Sequence, residues 1–239
     1  MNRCSTLLAA VFVTLMSSPF LHSGDEQTDK IWKAFEKLEN TSLDDWGWSF
    51  EETGKEGVRK GVFLPIIEGR GKVILRTVNG KKPEKNDLKK FHKKFRDRKA
   101  KAPGEEKSSP SKMITPDTLE LVGKTENTSV YHFVPRLNFD EDTSEDEQKF
   151  FEGLNGVLVY DDAGEFVKSL ELKADKPFKP DSKVKIKEMV VRFVFERLPD
   201  QTIVVSETYN KVVAKALLLM RVNQESTMRF FDYRKVEKP

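Results

Sequence analysis

The 239 residues carry 42 Lys+Arg against 39 Asp+Glu, a net charge of +3, so bulk charge singles out no polyanionic partner and only its distribution informs. The single cysteine, Cys4, lies in the first few residues. The chain beyond it has no thiol, which excludes disulfides, thiol catalysis, zinc-thiolate and iron–sulfur sites there.

Arg3 is the only Lys, Arg, Asp or Glu before Asp25, and the run Leu7 to Met16 is an apolar core of signal-peptide length, too short to span a bilayer. The expectation is a signal peptide over residues 1–23, cleaved after Ser23 or Gly24, and a soluble exported domain over 24–239. About 215 residues bury enough apolar surface to stand as one domain without cross-links.

Ile31, Trp32, Phe35 and Leu38 recur at helical spacing and predict an amphipathic helix over 29–40. Trp46, Trp48 and Phe50 then alternate with small residues, the period of a half-buried strand. Extended runs at 61–67 and 72–78 follow, closed by Asn79-Gly80, a pair that tolerates the positive φ of a tight turn.

Pro83 opens a predicted helix over 83–101, followed by a loop at 102–112. Residues 81–101 hold eleven Lys or Arg against three carboxylates, around a thin apolar line of Leu88, Phe91 and Phe95. Two readings stand: a solvated helix docked by three side chains, or a basic helix on an anionic membrane surface through Lys89, Lys90, Lys93 and Lys94. Export argues against nucleic acid as the partner.

Further strands are expected at 119–122, 130–134, 156–160, 166–174, 184–198, 202–209, 212–222 and 227–236. Within 184–198 the apolar phase switches between Ile186 and Met189, which predicts a β-bulge near Lys187-Glu188. Residues 216–220 are apolar on both phases, the pattern of a strand covered on both faces. Short connections favour antiparallel pairing, hence a mainly β (α+β) fold.

Asp140, Asp142, Ser144 and Asp146 have the first spacings of a Ca²⁺-binding EF-hand loop. Glu145 stands where the sharp turn needs Gly, though, and Phe151 where the bidentate Glu belongs, so the acidic segment reads as a solvated loop. His92 and His132 fall on different predicted elements, and no nucleophile elbow, zinc helix motif or phosphate-binding loop occurs. No catalytic residue, metal site or cofactor is expected. The seventeen Phe, three Trp and four Tyr concentrate on alternating strand positions, where they either line an apolar cavity or fill it.

The stretches Leu75 to Pro83, Phe151 to Val159, Lys176 to Pro180 with Val184 to Ile186, and Phe231 to Val236 together resemble a family of uncharacterised exported proteins of Gram-negative bacteria. Its layout is similar to the LolA/LolB-like superfamily of lipoprotein-sorting proteins. That resemblance implies a curved antiparallel sheet forming an incomplete barrel, helices lidding it, and acyl chains bound between. On this analogy Phe193, Phe195, Leu217, Leu219 and Phe230 would line the site, with Trp32 and Phe35 on the lid. The expectation is a non-catalytic periplasmic carrier of a lipid or acylated protein. The alternative is an envelope scaffold with a filled core.

Overall fold

The computed structural model describes residues 24–67, 70–96, 110–136, 150–216 and 220–236. The expected signal peptide, most of the 102–112 loop and the acidic segment at 140–147 lie outside these residues. Helix α1 (Gly24–Glu39) precedes β1 (Trp46–Gly54), β2 (Gly57–Ile67) and β3 (Arg70–Val78), and then helix α2 (Lys85–Arg96). After two short 3₁₀ turns come β4 (Glu120–Lys124), β5 (Thr128–Phe133), β6 (Asn155–Asp161), β7 (Phe166–Lys173), β8 (Val184–Arg197), β9 (Ile203–Ala216) and β10 (Met220–Lys235).

The fold is mainly β: ten strands form one antiparallel sheet in the order β3-β2-β1-β10-β9-β8-β7-β6-β5-β4. β3 and β4 end the order unpaired with each other, so the sheet is not closed into a barrel. Two meanders are joined by β1 and β10, the first and last of the described strands, paired from Trp46↔Lys235 to Gly54↔Ser226 with one register shift between Gly47 and Ser49.

Cross-strand partners share a face, so one row can be traced over all ten strands: Leu121, Tyr131, Leu158, Leu170, Phe193, Thr208, Met228, Glu52, Arg59 and Val78. Both helices lie on this face. Helix α1 inserts Ile31, Ala34 and Phe35 among Tyr131, Leu158, Leu170, Phe195 and Val205, while α2 inserts Phe91 against Phe50 and Leu75. A third cluster gathers Leu43, Trp46, Trp48, Phe63 and Val204, with Trp48 stacked on Phe63 at 3.9 Å between centroids. Phe230 packs against all three clusters.

The opposite face is charged, and across its middle the charges are matched. Glu171, Arg192, Glu207 and Arg229 follow one another on β7 to β10, linked at 4.0, 3.3 and 3.1 Å, and Lys60 meets Glu51 at 2.6 Å on the next pair of strands. Each such exposed pair contributes about 0–1 kcal/mol, but their alternation keeps this face wet and fixes the register.

Several local expectations hold. Asn79 (φ 51°) and Gly80 (φ 77°) make the two-residue turn that closes Val78 on Lys81, and a bulge falls between Ile186 and Glu188. Three corrections follow. The segments expected as separate strands at 202–209 and 212–222 are largely one long β9, because Asn210 and Lys211 pair in the ladder rather than turning. Residues 220–222 belong instead to β10, which runs unbroken into the strand expected at 227–236. Of the segment 216–220 expected to be covered on both faces, Met220 is 59% exposed and the side chains of 216–219 lie outside the described residues; Ile203, Val204 and Val205, at 3%, 1% and 3% exposure, are buried on both faces.

Two outcomes test this packing. Phe230→Ala removes the ring common to three clusters and is expected to cost about 2–4 kcal/mol in urea unfolding. The Tyr233 hydroxyl donates to the Val205 carbonyl at 2.5 Å, and burial, with the charge of Glu196, pushes its pKa well above the ordinary tyrosine value. The folded state therefore holds the proton more tightly, so the contribution is intact below pH ~10 and is lost as pH rises toward the folded pKa. Wild-type stability is expected to fall by up to about 1.4 kcal/mol per pH unit more steeply than that of Tyr233→Phe in this range.

Candidate functional site

Along the ten-strand row, burial changes in a regular way. Tyr131, Leu158 and Leu170 are sealed under α1, and Glu52 is buried on the α2 side. Between them Phe193, Thr208 and Met228 are half-buried. The strip continues along β8 as Val191 and Met189, and along β9 as exposed Asn210 and then Val212, the three apolar residues half-buried and all four on the helix-bearing face by register. Met189, Val191, Phe193 and Phe230 touch the α1 cluster from its open side. The result is a stripe between two helices, each of which fills its own end; it is apolar along β8 and is interrupted on β9 and β10 by Thr208, Asn210, Ser226 and Gln224.

Glu52 gives the stripe a polar border. Its carboxylate accepts from Arg59 at 3.4 Å, and Arg59 also pairs with Glu56. Desolvation opposes the Arg59 charge, but the two carboxylates outweigh it and raise the guanidinium pKa.

A second polar group pins α1 in place. Asp162, in the turn after β6, accepts from Ser129 Oγ at 2.7 Å and from Gln27 Nε2, on the first turn of α1, at 3.2 Å. Tyr160 nearby has its pKa pushed up to about 12 by burial and by the charges of Glu165 and Asp162. A hydroxyl beside a carboxylate resembles half of a nucleophilic pair, but Ser129 is 0% exposed, so its oxygen meets no substrate. The group works as a tether.

The residues expected from the sequence divide clearly. Phe35 (1% exposed) and Phe195 (4%) are core; Trp32, its ring 5.9 Å from that of Phe35, is half-buried, as are Phe193 and Phe230. All five belong to or touch the α1 cluster. Leu217 and Leu219 lie outside the described residues. On α2, Lys89, Lys90 and Lys93 are exposed, whereas the side chain of Lys94 lies outside the described residues. Leu88 and Phe91 are spent on the sheet, the Phe91 ring lying parallel to Phe50 at 6.2 Å.

His92 and His132 are exposed on α2 and β5, near opposite ends of the strand order. The sequence puts Met189 and Val191 on the inward phase of Phe193 but gives no sign of them as lining, and Met228 as a neighbour of Phe193 was missed. The phase of β8 held the first two, and Met228 needed the β9–β10 register. Sequence reading also missed Ser129 with Asp162, which the turn chemistry of Asp161-Asp162-Ala163-Gly164 concealed.

Scans of protein-family models, curated proteins and solved structures return no match to this chain. Among the described residues no helix is long and apolar enough to cross a membrane, and no group of three or more His, Cys, Asp or Glu is placed to hold a metal.

Removing Asp162 tests the tether. Asp162→Ala leaves the Ser129 hydroxyl buried without its acceptor and is expected to destabilise by about 2–3 kcal/mol in urea unfolding. Ser129→Ala/Asp162→Ala is expected to recover part of that loss.

Proposed function

We propose that this chain is an exported, periplasmic, non-catalytic protein that binds the apolar part of a lipophilic molecule, a lipid or an acylated protein, along the stripe between α1 and α2. The observation that carries this reading is the incompletely buried middle of the helix-bearing face, where Phe193, Met228, Met189, Val191 and Val212 sit between two filled ends. Burying an acyl chain there removes apolar surface of both partners from water, at about 25 cal/mol per Å². Thioether side chains suit a flexible hydrocarbon guest. The resemblance of the sequence to the LolA/LolB-like layout, with helices over one face of an antiparallel sheet, agrees with it, and the apolar run at 7–16 supports export.

A second reading, an envelope scaffold without a small ligand, is favoured by the tight burial of Phe35 and Phe195. It differs in what the middle of the face does.

Native mass spectrometry of the protein purified from its own compartment, followed by lipid extraction, separates the two. A stoichiometric lipid is the expected result; an empty protein that also fails to bind a fluorescent fatty acid saturably would move the assignment to the scaffold. Met228→Trp narrows the stripe, and is expected to weaken fatty-acid binding on the order of tenfold with little change in Tm.

A further inference from the structure

Strands β8, β9 and β10 outrun their neighbours. β7 stops at Lys173, opposite Val190, and β1 stops at Gly54, opposite Ser226. Beyond those points the three strands continue to Val184, Ala216 and Met220. The outer side of β8 there is met by Phe178, through backbone bonds with Ile186. No described strand pairs with β10 beyond Ser226.

At this end the register puts Lys185 opposite Lys215, and Lys215 opposite Arg221. Three cations thus stand side by side on adjacent strands, on the face away from the helices. Like charges placed directly opposite destabilise a sheet. None of the three has a carboxylate partner in an ion pair among the described residues. Nearby carboxylates are engaged elsewhere: Glu188 with Lys211, Glu225 with the Tyr209 hydroxyl, and Asp181 with the backbone of Lys183 and Val184. Lys183 and Lys187 are exposed beside the row.

The contrast with the middle of the same face is direct. There every cation of the row from Glu171 to Arg229 alternates with a carboxylate. At the free end the sign repeats, and the compensating charge has to come from outside the fold. Met220, opposite Ala216 at the last ladder position, offers an exposed apolar side chain at the same tip, on the phase of Ala214 and Val212 and so across the sheet from the three cations.

We propose that the free end of β8–β10 docks on an anionic phospholipid surface, with Lys185, Lys215 and Arg221 facing the headgroups. With the tip end-on to the bilayer, the cations on one side of the sheet and the exposed methionine on the other both reach an interface that combines negative charge with accessible hydrocarbon, which a purely polar polyanion does not offer. Helix α2 is the weaker candidate for this contact. Its lysines are ordinarily solvated on a helix whose Leu88 and Phe91 are already used on the sheet. The docking surface does not depend on the apolar stripe.

Flotation of the purified protein with vesicles tests it. Binding is expected to vesicles of phosphatidylcholine with phosphatidylglycerol, to be released at high salt, and to be absent from phosphatidylcholine alone. The variant Lys185→Gln/Lys215→Gln/Arg221→Gln is expected to lose on the order of a hundredfold in affinity, roughly fivefold per cation, and to be at least as thermally stable as wild type because the repulsion is gone. Lys89→Gln/Lys90→Gln/Lys93→Gln is expected to lose far less. The proposal is overturned if flotation does not depend on phosphatidylglycerol, if the α2 variant loses as much as the strand variant, if the strand variant is destabilised, or if polyglutamate binds the row in preference to vesicles. Failure to find a bound lipid, with flotation intact, would remove the carrier reading and leave the docking surface standing.

Discussion

The pairing of β1 with β10 is the constraint on which the rest of the molecule depends. It joins the first strand to the last and turns two meanders into one ten-stranded sheet. Loop-closure entropy opposes so remote a contact, so it has to be repaid by burial at the seam. Phe50 faces Phe230 across that seam, and Phe230 packs against every cluster of the core. Gly61 is part of the same junction, since a Cβ there would run into the Phe50 ring and the Ile74 carbonyl. The close approach of three strands at this point needs a residue without a side chain.

Once the seam is made, the division of the two faces follows. The long central strands carry apolar residues toward the helices and alternating charges away from them. Each helix is too short to cover the whole width. Helix α1, tied at its first turn through Gln27 to Asp162, covers the β5–β9 side, and α2 covers the β1–β3 side. Among the described residues the middle is left incompletely buried, a cost that a ligand or partner of apolar chemistry would relieve.

Much of the local structure was legible in the sequence because its signals are short-range. The alternation of Trp46, Trp48 and Phe50, the phase switch before Met189 and the Asn79-Gly80 turn each depend on a few residues. The long strands were not legible, since beyond the neighbouring strands they lose the burial contrast that makes alternation visible. Asn210 and Lys211, polar between two apolar runs, fall between the strands expected on either side for that reason. The connection between β9 and β10 holds three leucines and no Gly, Pro or Asn to announce it. The stripe was half legible: Phe193 and Phe230 stood out as aromatics, whereas Met228 became their neighbour through pairings that no single segment encodes. The Ser129–Asp162 tether likewise joins residues whose local context reads as strand edge and turn.

The central claim is that an apolar ligand lies along the middle of the helix-bearing face. Photo-crosslinking with a diazirine-bearing fatty acid, followed by peptide mapping, tests it most directly. Labels concentrated on Met189, Val191, Phe193, Val212 and Met228 are the predicted result. Labelling spread over the charged face, or no saturable labelling at all, would contradict the account.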